Sequence, residues 1–352
     1  YCYVDIEWSK IKGKITKEMA LRGIEDYMTH NYSKVVTPES RRVDLYGNKV
    51  YSSVAEASAE VKNRLLNNAY GLLVWHEKID SNFVRHLTNC KILVRYGAGI
   101  DNLDLLSLKN KKIVVGNCPD YGVEEVADAT ATMILFGVRN LAEFSKVNLF
   151  DPRVWGSPSS RSVKRSRLHS LGIIGLGRIG TAVALRLKSF GISVGFFDPY
   201  IPRGMEKSLS LIRYDSLENL LANSSIVSLH CPLTDETKAM VNKYFISRMQ
   251  PASILVNTSR GGLISSLAEI DEGLESGQLG FVALDVLDEE PPSSNNVFID
   301  RWRKSTNPVS NRVLITPHIA YYSENSLMEI RTKAAQSILD FSMGHDPRYR
   351  II

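Results

Sequence analysis

A doubly wound parallel α/β sheet with a second, smaller α/β domain is the fold the sequence predicts, and three observations predict it. From Leu171 onward, short apolar runs alternate with segments of helical spacing, the pattern of repeated βα units. The first of those runs leads into closely spaced glycines, Leu171-Gly-Ile-Ile-Gly-Leu-Gly-Arg-Ile-Gly180. Ahead of Val123 lies a shorter alternation of the same kind. At 352 residues the chain suits two domains, each large enough to bury a core.

In the first alternation, Tyr3 to Ile6, Lys34 to Thr37, Gly71 to Trp75, Ile92 to Tyr96 and Ile113 to Val115 read as strands. They are short continuous apolar runs, as strands covered on both faces are. Ser53 to Leu66 carries Val54, Ala57, Val61 and Leu65 at helical spacing. Val123 to Leu141 reads as a long helix opened by Glu124 and Glu125, acids that complement the positive end of its dipole. Asp151 to Ser170 is polar and turn-rich, with Pro152, Gly156 and Pro158 ahead of Arg161, Lys164, Arg165 and Arg167. It reads as a basic surface excursion. Further strands are expected at Ile192 to Phe197, Ile226 to Leu229, Ser253 to Asn257, Phe281 to Val286 and Val313 to Thr316, with helices such as Ala182 to Phe190 and Leu267 to Leu274 between them. A last helical run, Glu324 to Phe341, is long enough to return to the first domain. The expected layout is therefore a Rossmann-type domain over residues 121–317 and a flavodoxin-like domain made of residues 1–120 plus 318–352.

The glycine run carries specific chemistry. Gly175, Gly177 and Gly180 follow a strand and open a helix, so the backbone can turn tightly and let a pyrophosphate rest on the helix amino end, beside Arg178 and Ile179. Asp198 ends the next apolar run, where a carboxylate accepts hydrogen bonds from the two ribose hydroxyls of an adenosine. A 2′-phosphate there would meet that negative charge, so NAD is expected rather than NADP.

Composition removes other classes. Hydrophobic content of 44% and charged content of 23% are ordinary for a soluble protein, and a net charge of +5 on scattered residues does not argue for nucleic acid. The four cysteines, Cys2, Cys90, Cys118 and Cys231, have neither metal-ligand spacing nor disulfide-scaffold density. No metal site is expected, and a reducing, cytoplasmic setting is. The most apolar stretch, Ala129 to Val138, is shorter than a membrane span and reads as buried helix. The opening Tyr-Cys-Tyr-Val has no signal-peptide pattern, and it reads as the expected start of a trimmed fragment.

Three polar residues fall at successive strand ends, where open α/β sheets present ligands. Arg260 sits in Asn257-Thr-Ser-Arg-Gly-Gly262, Glu290 in Asp285-Val-Leu-Asp-Glu-Glu-Pro291, and His318 in Thr316-Pro-His-Ile-Ala320. Arginine offers a rigid fork of donors for a carboxylate and can polarise an adjacent carbonyl. Histidine exchanges a proton near neutral pH, and a glutamate on its other nitrogen favours the imidazolium. That set suits hydride transfer between a nicotinamide and the carbon of a 2-oxo acid.

Together with Val94-Arg-Tyr-Gly-Ala-Gly-Ile-Asp-Asn-Leu-Asp104 and Ala283-Leu-Asp-Val286, these motifs resemble the D-isomer-specific 2-hydroxyacid dehydrogenase family. Within it they look like the branch of the C-terminal-binding-protein corepressors. The likeness runs from about Ile92 to Ile338; residues 1 to 90 share only the α/β pattern. It implies that Arg260, Glu290 and His318 form the catalytic set, Glu290 being chosen over Asp288 and Glu289 because it precedes Pro291. It also implies that Arg95 lies near the substrate and that the Ala98 and Gly99 backbone binds its carboxylate. Thr130 and the Asn117-Cys-Pro119 region would lie around the nicotinamide, and Asp285 near its carboxamide. Cys231, Pro232, Thr258 and Ser259 would line the cofactor's path. Tyr321 stands where the corepressors carry tryptophan, which keeps an apolar substrate side chain plausible.

The expected function is an NAD-dependent oxidoreductase acting at C2 of a small 2-oxo or 2-hydroxy acid, with D-isomer preference and a homodimer implied by the resemblance. The alternative is an NAD(H)-sensing corepressor or scaffold with weak activity, higher oligomers, protein partners and a nuclear location. Neither reading includes direct nucleic-acid or membrane binding.

Overall fold

The computed structural model describes residues 66–67, 69–75, 77–145, 155–156, 163–304 and 308–352. The expected strands Tyr3 to Ile6 and Lys34 to Thr37, nearly all of the Ser53 to Leu66 helix, Cys2 and residues 151–154 and 157–162 of the Asp151 to Ser170 excursion lie outside them. The chain divides at Gly122/Val123 and Tyr322/Ser323 into two compact units. His318 to Tyr322 thus stay with the larger unit, five residues beyond the boundary expected from sequence.

In the smaller unit, β1 (Gly71–Val74), β2 (Ile92–Arg95) and β3 (Val114–Asn117) form a parallel sheet in the order β1-β2-β3. The helix Glu324–Ser342 belongs to this unit and lays Ile330, Ala334 and Ile338 against Leu73, Ile92 and Val94. Those three positions recur every four residues, so one helical stripe covers one sheet face. Ser323 caps this helix with a reciprocal Ser323–Ser326 capping box.

The larger unit carries seven parallel strands: β4 (Ser170–Ile174), β5 (Ser193–Phe197), β6 (Ile212–Arg213), β7 (Ile226–Leu229), β8 (Ser253–Asn257), β9 (Leu279–Leu284) and β10 (Val313–Ile315). Their order is β10-β9-β8-β7-β4-β5-β6. The chain therefore winds outward one way from β4 and then the other way from β7, the Rossmann-type arrangement, whose ligand crevice opens where the direction switches. Alternation along β4 feeds both faces. Leu171 and Ile173 join a core with Ile134, Val183 and Leu187, whereas Ile174 joins one with Leu220, Phe245 and Ile270. Gly172 has no room for a side chain, since a Cβ would lie 2.5 Å from Leu220.

Two details differ from the sequence expectation. The long helix ends at Val138, because Asn140 adopts φ 53° and starts a separate turn, Leu141–Phe144. Asparagine tolerates that left-handed conformation better than most residues. Gly137, near the end of the same helix, lets it pack where a Cβ would lie 2.4 Å from the Phe281 ring. The edge strand β6 has no counterpart in the sequence reading. Among the described residues no helix is long and apolar enough to cross a membrane.

Candidate active site

At the end of β4 the three glycines do separate work. Gly175 has φ 92°, and a Cβ on it would sit 2.7 Å from the Cys231 nitrogen, so the turn crosses the β7 loop at backbone distance. Gly180 lies against the Gly175 carbonyl, 2.2 Å from where its Cβ would be, which seats the helix on the strand. Gly177 is the opposite case: a Cβ there would meet nothing within 4 Å. It caps the helix Arg178–Lys188 without a side-chain hydrogen bond to the first N–H groups. That open cradle fits a pyrophosphate.

Asp198, just past β5, is held on both oxygens: Oδ2 accepts from Leu176 N at 2.8 Å and Oδ1 from Tyr200 N at 2.9 Å. A carboxylate has further lone pairs for ribose hydroxyls, and its orientation is already fixed. On the other side of β4 from Asp198, the Ser259 hydroxyl donates to the Cys231 carbonyl at 2.6 Å, tying the β8 loop to the β7 loop. Burial raises the Cys231 thiol to about 11, as expected of a wall residue and not a nucleophile. Thr130 is fully buried, its hydroxyl donating to Val126 O at 2.6 Å and meeting Thr258 Oγ1 at 2.8 Å. It thereby ties the helix Val123–Val138 to the loop after β8.

The second half of the site is assembled from β8, β9 and β10. Asn257, fully buried at the end of β8, accepts from Ser259 N at 3.0 Å and donates to the Arg260 carbonyl at 2.8 Å. Gly261 then packs directly on the Leu287–Asp288 peptide; a Cβ would fall 1.8 Å from Leu287 O. Leu287 N donates to Glu290 Oε1 at 2.8 Å, and Glu290 Oε2 meets His318 Nδ1 at 2.7 Å. The adjoining acid Glu289 turns instead to Ser293 N at 3.2 Å. Burial alone would push the Glu290 carboxyl up. Its hydrogen bond and charge pairing with His318, the Leu287 N–H and the Arg260 charge together hold it below the ordinary range. A glutamate kept ionised accepts the Nδ1 proton, which leaves Nε2 of His318 to exchange a proton with a substrate.

His318 itself has φ 52°, a conformation uncommon for a bulky residue. Asp285, at the end of β9 and 2% exposed, keeps it there. His318 N donates to Asp285 O at 2.7 Å. The Asp285 carboxylate accepts from Thr316 Oγ1 at 2.5 Å, Ile319 N at 2.9 Å and Ala320 N at 3.0 Å. The clamp is an addition to the place near the nicotinamide carboxamide that the family resemblance implies for Asp285, and its only signal in the sequence is an acid ending an otherwise apolar strand. Tyr321 stands edge-on to His318, with ring centroids 6.4 Å apart.

In the smaller unit, Arg95 ends β2 and its guanidinium folds over Gly97, whose φ is 124°. Cys118 N and Asn117 Nδ2 take the carbonyls of Gly97 and Ala98 at 3.1 and 2.8 Å. The neighbouring N–H groups of Ala98 and Gly99 have no acceptor among the described residues, an arrangement that suits an anion.

The profile of the D-isomer specific 2-hydroxyacid dehydrogenase, NAD binding domain, matches residues 131–320. The chain belongs to that family. Among relatives of this dehydrogenase-family chain, C-terminal-binding protein 1 of Caenorhabditis elegans is 31% identical over 84% of the chain and 40% of the relative. D-3-phosphoglycerate dehydrogenase of Methanocaldococcus jannaschii is 31% identical over 74% of the chain and 47% of that relative. The chain thus spans less than half the length of these curated relatives. A solved D-lactate dehydrogenase from Aquifex aeolicus, complexed with NAD and lactic acid, superposes with a TM-score of 0.72 at 29% identity, covering 80% of this chain and 85% of that one. The matched segment contains the glycine cradle, Asp198, Arg260, Glu290 and His318, so this family member carries the NAD-binding domain.

Proposed function

We propose that the chain is an NAD-dependent D-2-hydroxyacid dehydrogenase. The observation that carries the reading is the 2.7 Å pair of His318 Nδ1 and Glu290 Oε2, set beside Arg260 at the strand ends of a dinucleotide-binding sheet. When bound, the nicotinamide supplies or accepts hydride at C2 of a small 2-oxo or 2-hydroxy acid. His318 gives its Nε2 proton to the substrate oxygen during reduction and takes it back during oxidation. Glu290 orients the ring and stabilises its charged form. Arg260 neutralises charge growing on that oxygen. Asp285 and Gly261 act through these groups by fixing their loops.

Residues 123–322 are the NAD-binding unit in this reading, and the smaller unit, of flavodoxin-like type, is the substrate unit, with Arg95, Ala98 and Gly99 taking the carboxylate. Tyr321 contacts the substrate side chain. A cytoplasmic homodimer with contacts from the Val123–Val138 helix completes it. The test offers the purified protein NADH and NADPH with a panel of 2-oxo acids and determines product chirality. NADH-dependent formation of D-2-hydroxy acid supports the reading; NADPH preference or an L-product contradicts it.

The 31% identity with C-terminal-binding protein 1 favours a second reading, an NAD(H)-dependent assembly that binds protein partners and reaches the nucleus. Its mark is a change of oligomer mass on adding NADH, and an unchanged mass opposes it.

A further inference from the structure

The sheet order places β4 between β7 and β5, so any contact between the loops after β5 and β7 must pass over the glycine turn that ends β4. One such contact exists. The Tyr200 hydroxyl, past β5, donates to Glu236 Oε2, past β7, at 2.5 Å. Both ends of the bridge are anchored to the adenosine side. Tyr200 N donates to Asp198 Oδ1 at 2.9 Å. Glu236 rides on a turn closed by Thr234 N to Thr237 Oγ1 at 2.9 Å and by Thr237 Oγ1 to Pro232 O at 2.6 Å. Tyr200 is 75% exposed, so core burial does not explain its position. Its phenol is raised first by the hydrogen bond to Glu236 and that group's charge, with Asp198 adding to them, so one hydroxyl lies in the field of both acids. Arg203, the nearest arginine in sequence, turns to Asp215 at 3.3 Å.

We propose that Tyr200 and Glu236 form a strap over the adenosine end of the dinucleotide groove, and that Glu236 is a second acid which, with Asp198, selects NADH against NADPH. The inference rests on the NAD-dependent reading above. A 2′-phosphate carries about two negative charges, and each acid beside it adds repulsion that weakens with salt. The strap joins the walls on which the adenosine would lie, so it also slows cofactor release.

Affinities for NADH and NADPH, read by cofactor fluorescence on the whole protein, test this in wild type, Glu236→Gln, Asp198→Ser, the double variant and Tyr200→Phe. Glu236→Gln is expected to shift the affinity ratio toward NADPH by about fivefold at low ionic strength, in both the wild-type and Asp198→Ser backgrounds, with the gain shrinking at high salt. Tyr200→Phe keeps both acids and is expected to quicken NADH release in stopped flow with a smaller change in the ratio. Wild-type binding of NADH with a ratio unmoved by Glu236→Gln, or moved equally at all salt concentrations, overturns the second-acid role alone. Wild-type protein that binds neither coenzyme overturns the NAD-dependent reading and the strap with it.

Discussion

The turn after β4 and the turn after β10 both leave ordinary backbone space, and they do so by opposite means. Gly175 reaches φ 92° freely because it has no side chain. His318 reaches φ 52° while carrying an imidazole, a conformation that costs on the order of 1–3 kcal/mol unless its surroundings enforce it. The enforcing group is buried Asp285, which takes hydrogen bonds from Thr316, Ile319 and Ala320. The turn that the proposed function gives to binding can thus be written in adjacent residues, whereas the one it gives to catalysis depends on a strand distant in sequence.

The comparison breaks most readily at the clamp. Asp285→Ala should lower kcat by about a hundredfold or more, since a base or acid out of place forfeits roughly 10²–10⁴ in rate. NADH affinity measured by fluorescence should fall far less; an equal loss in both would show that Asp285 acts at the cofactor instead of through His318. Next in size is Gly261→Ala, whose Cβ would enter the Leu287 carbonyl at 1.8 Å. It should destabilise the protein by about 1–3 kcal/mol in denaturant melts and lower kcat through the Glu290 loop. An unchanged melt would show that the two loops part easily.

Within the glycine turn the effects should separate. Gly175→Ala forces a side chain into the left-handed region against the Cys231 nitrogen and should lower stability. Gly177→Ala has open space, so stability should stay within about 0.5 kcal/mol. NADH binding by that variant should nevertheless weaken by about tenfold, roughly 1.4 kcal/mol, because the methyl enters the cradle. Equal melting losses for the two variants would contradict the division of roles.

The smallest effect concerns acid. The Glu290 carboxyl is lowered in the folded state from its ordinary value of 4.5. Its ionised form therefore adds stability that is fully present above that value and is lost as pH falls through the lowered one. Glu290→Gln should flatten this part of the acid limb and leave the slope above neutrality unchanged. A variant differing from wild type only above pH 7 would point to another group.

The same contrast explains what the sequence disclosed. Gly175, Gly177, Gly180 and Asp198 were legible because strand, turn, helix and acid follow in order, and the strands β7 and β8 matched residue for residue. Arg260, Glu290 and His318 stood out by their place at strand ends and by family likeness. The role of Asp285 and the close approach at Gly261 were hidden, since each depends on a partner about thirty residues away in another loop. The two-residue β6 was too short for periodicity, and Ile212 in it is 49% exposed. The Tyr200–Glu236 bridge follows from strand order, which no local pattern records.

The most direct test of the division between binding turn and catalytic turn is His318→Ala, assayed for NADH affinity and for single-turnover reduction of a 2-oxo acid accepted by the wild type. The account predicts a loss of about 10²–10⁴ in the chemical rate with NADH affinity within a few-fold of wild type. A reduction rate that survives the substitution unchanged would contradict it.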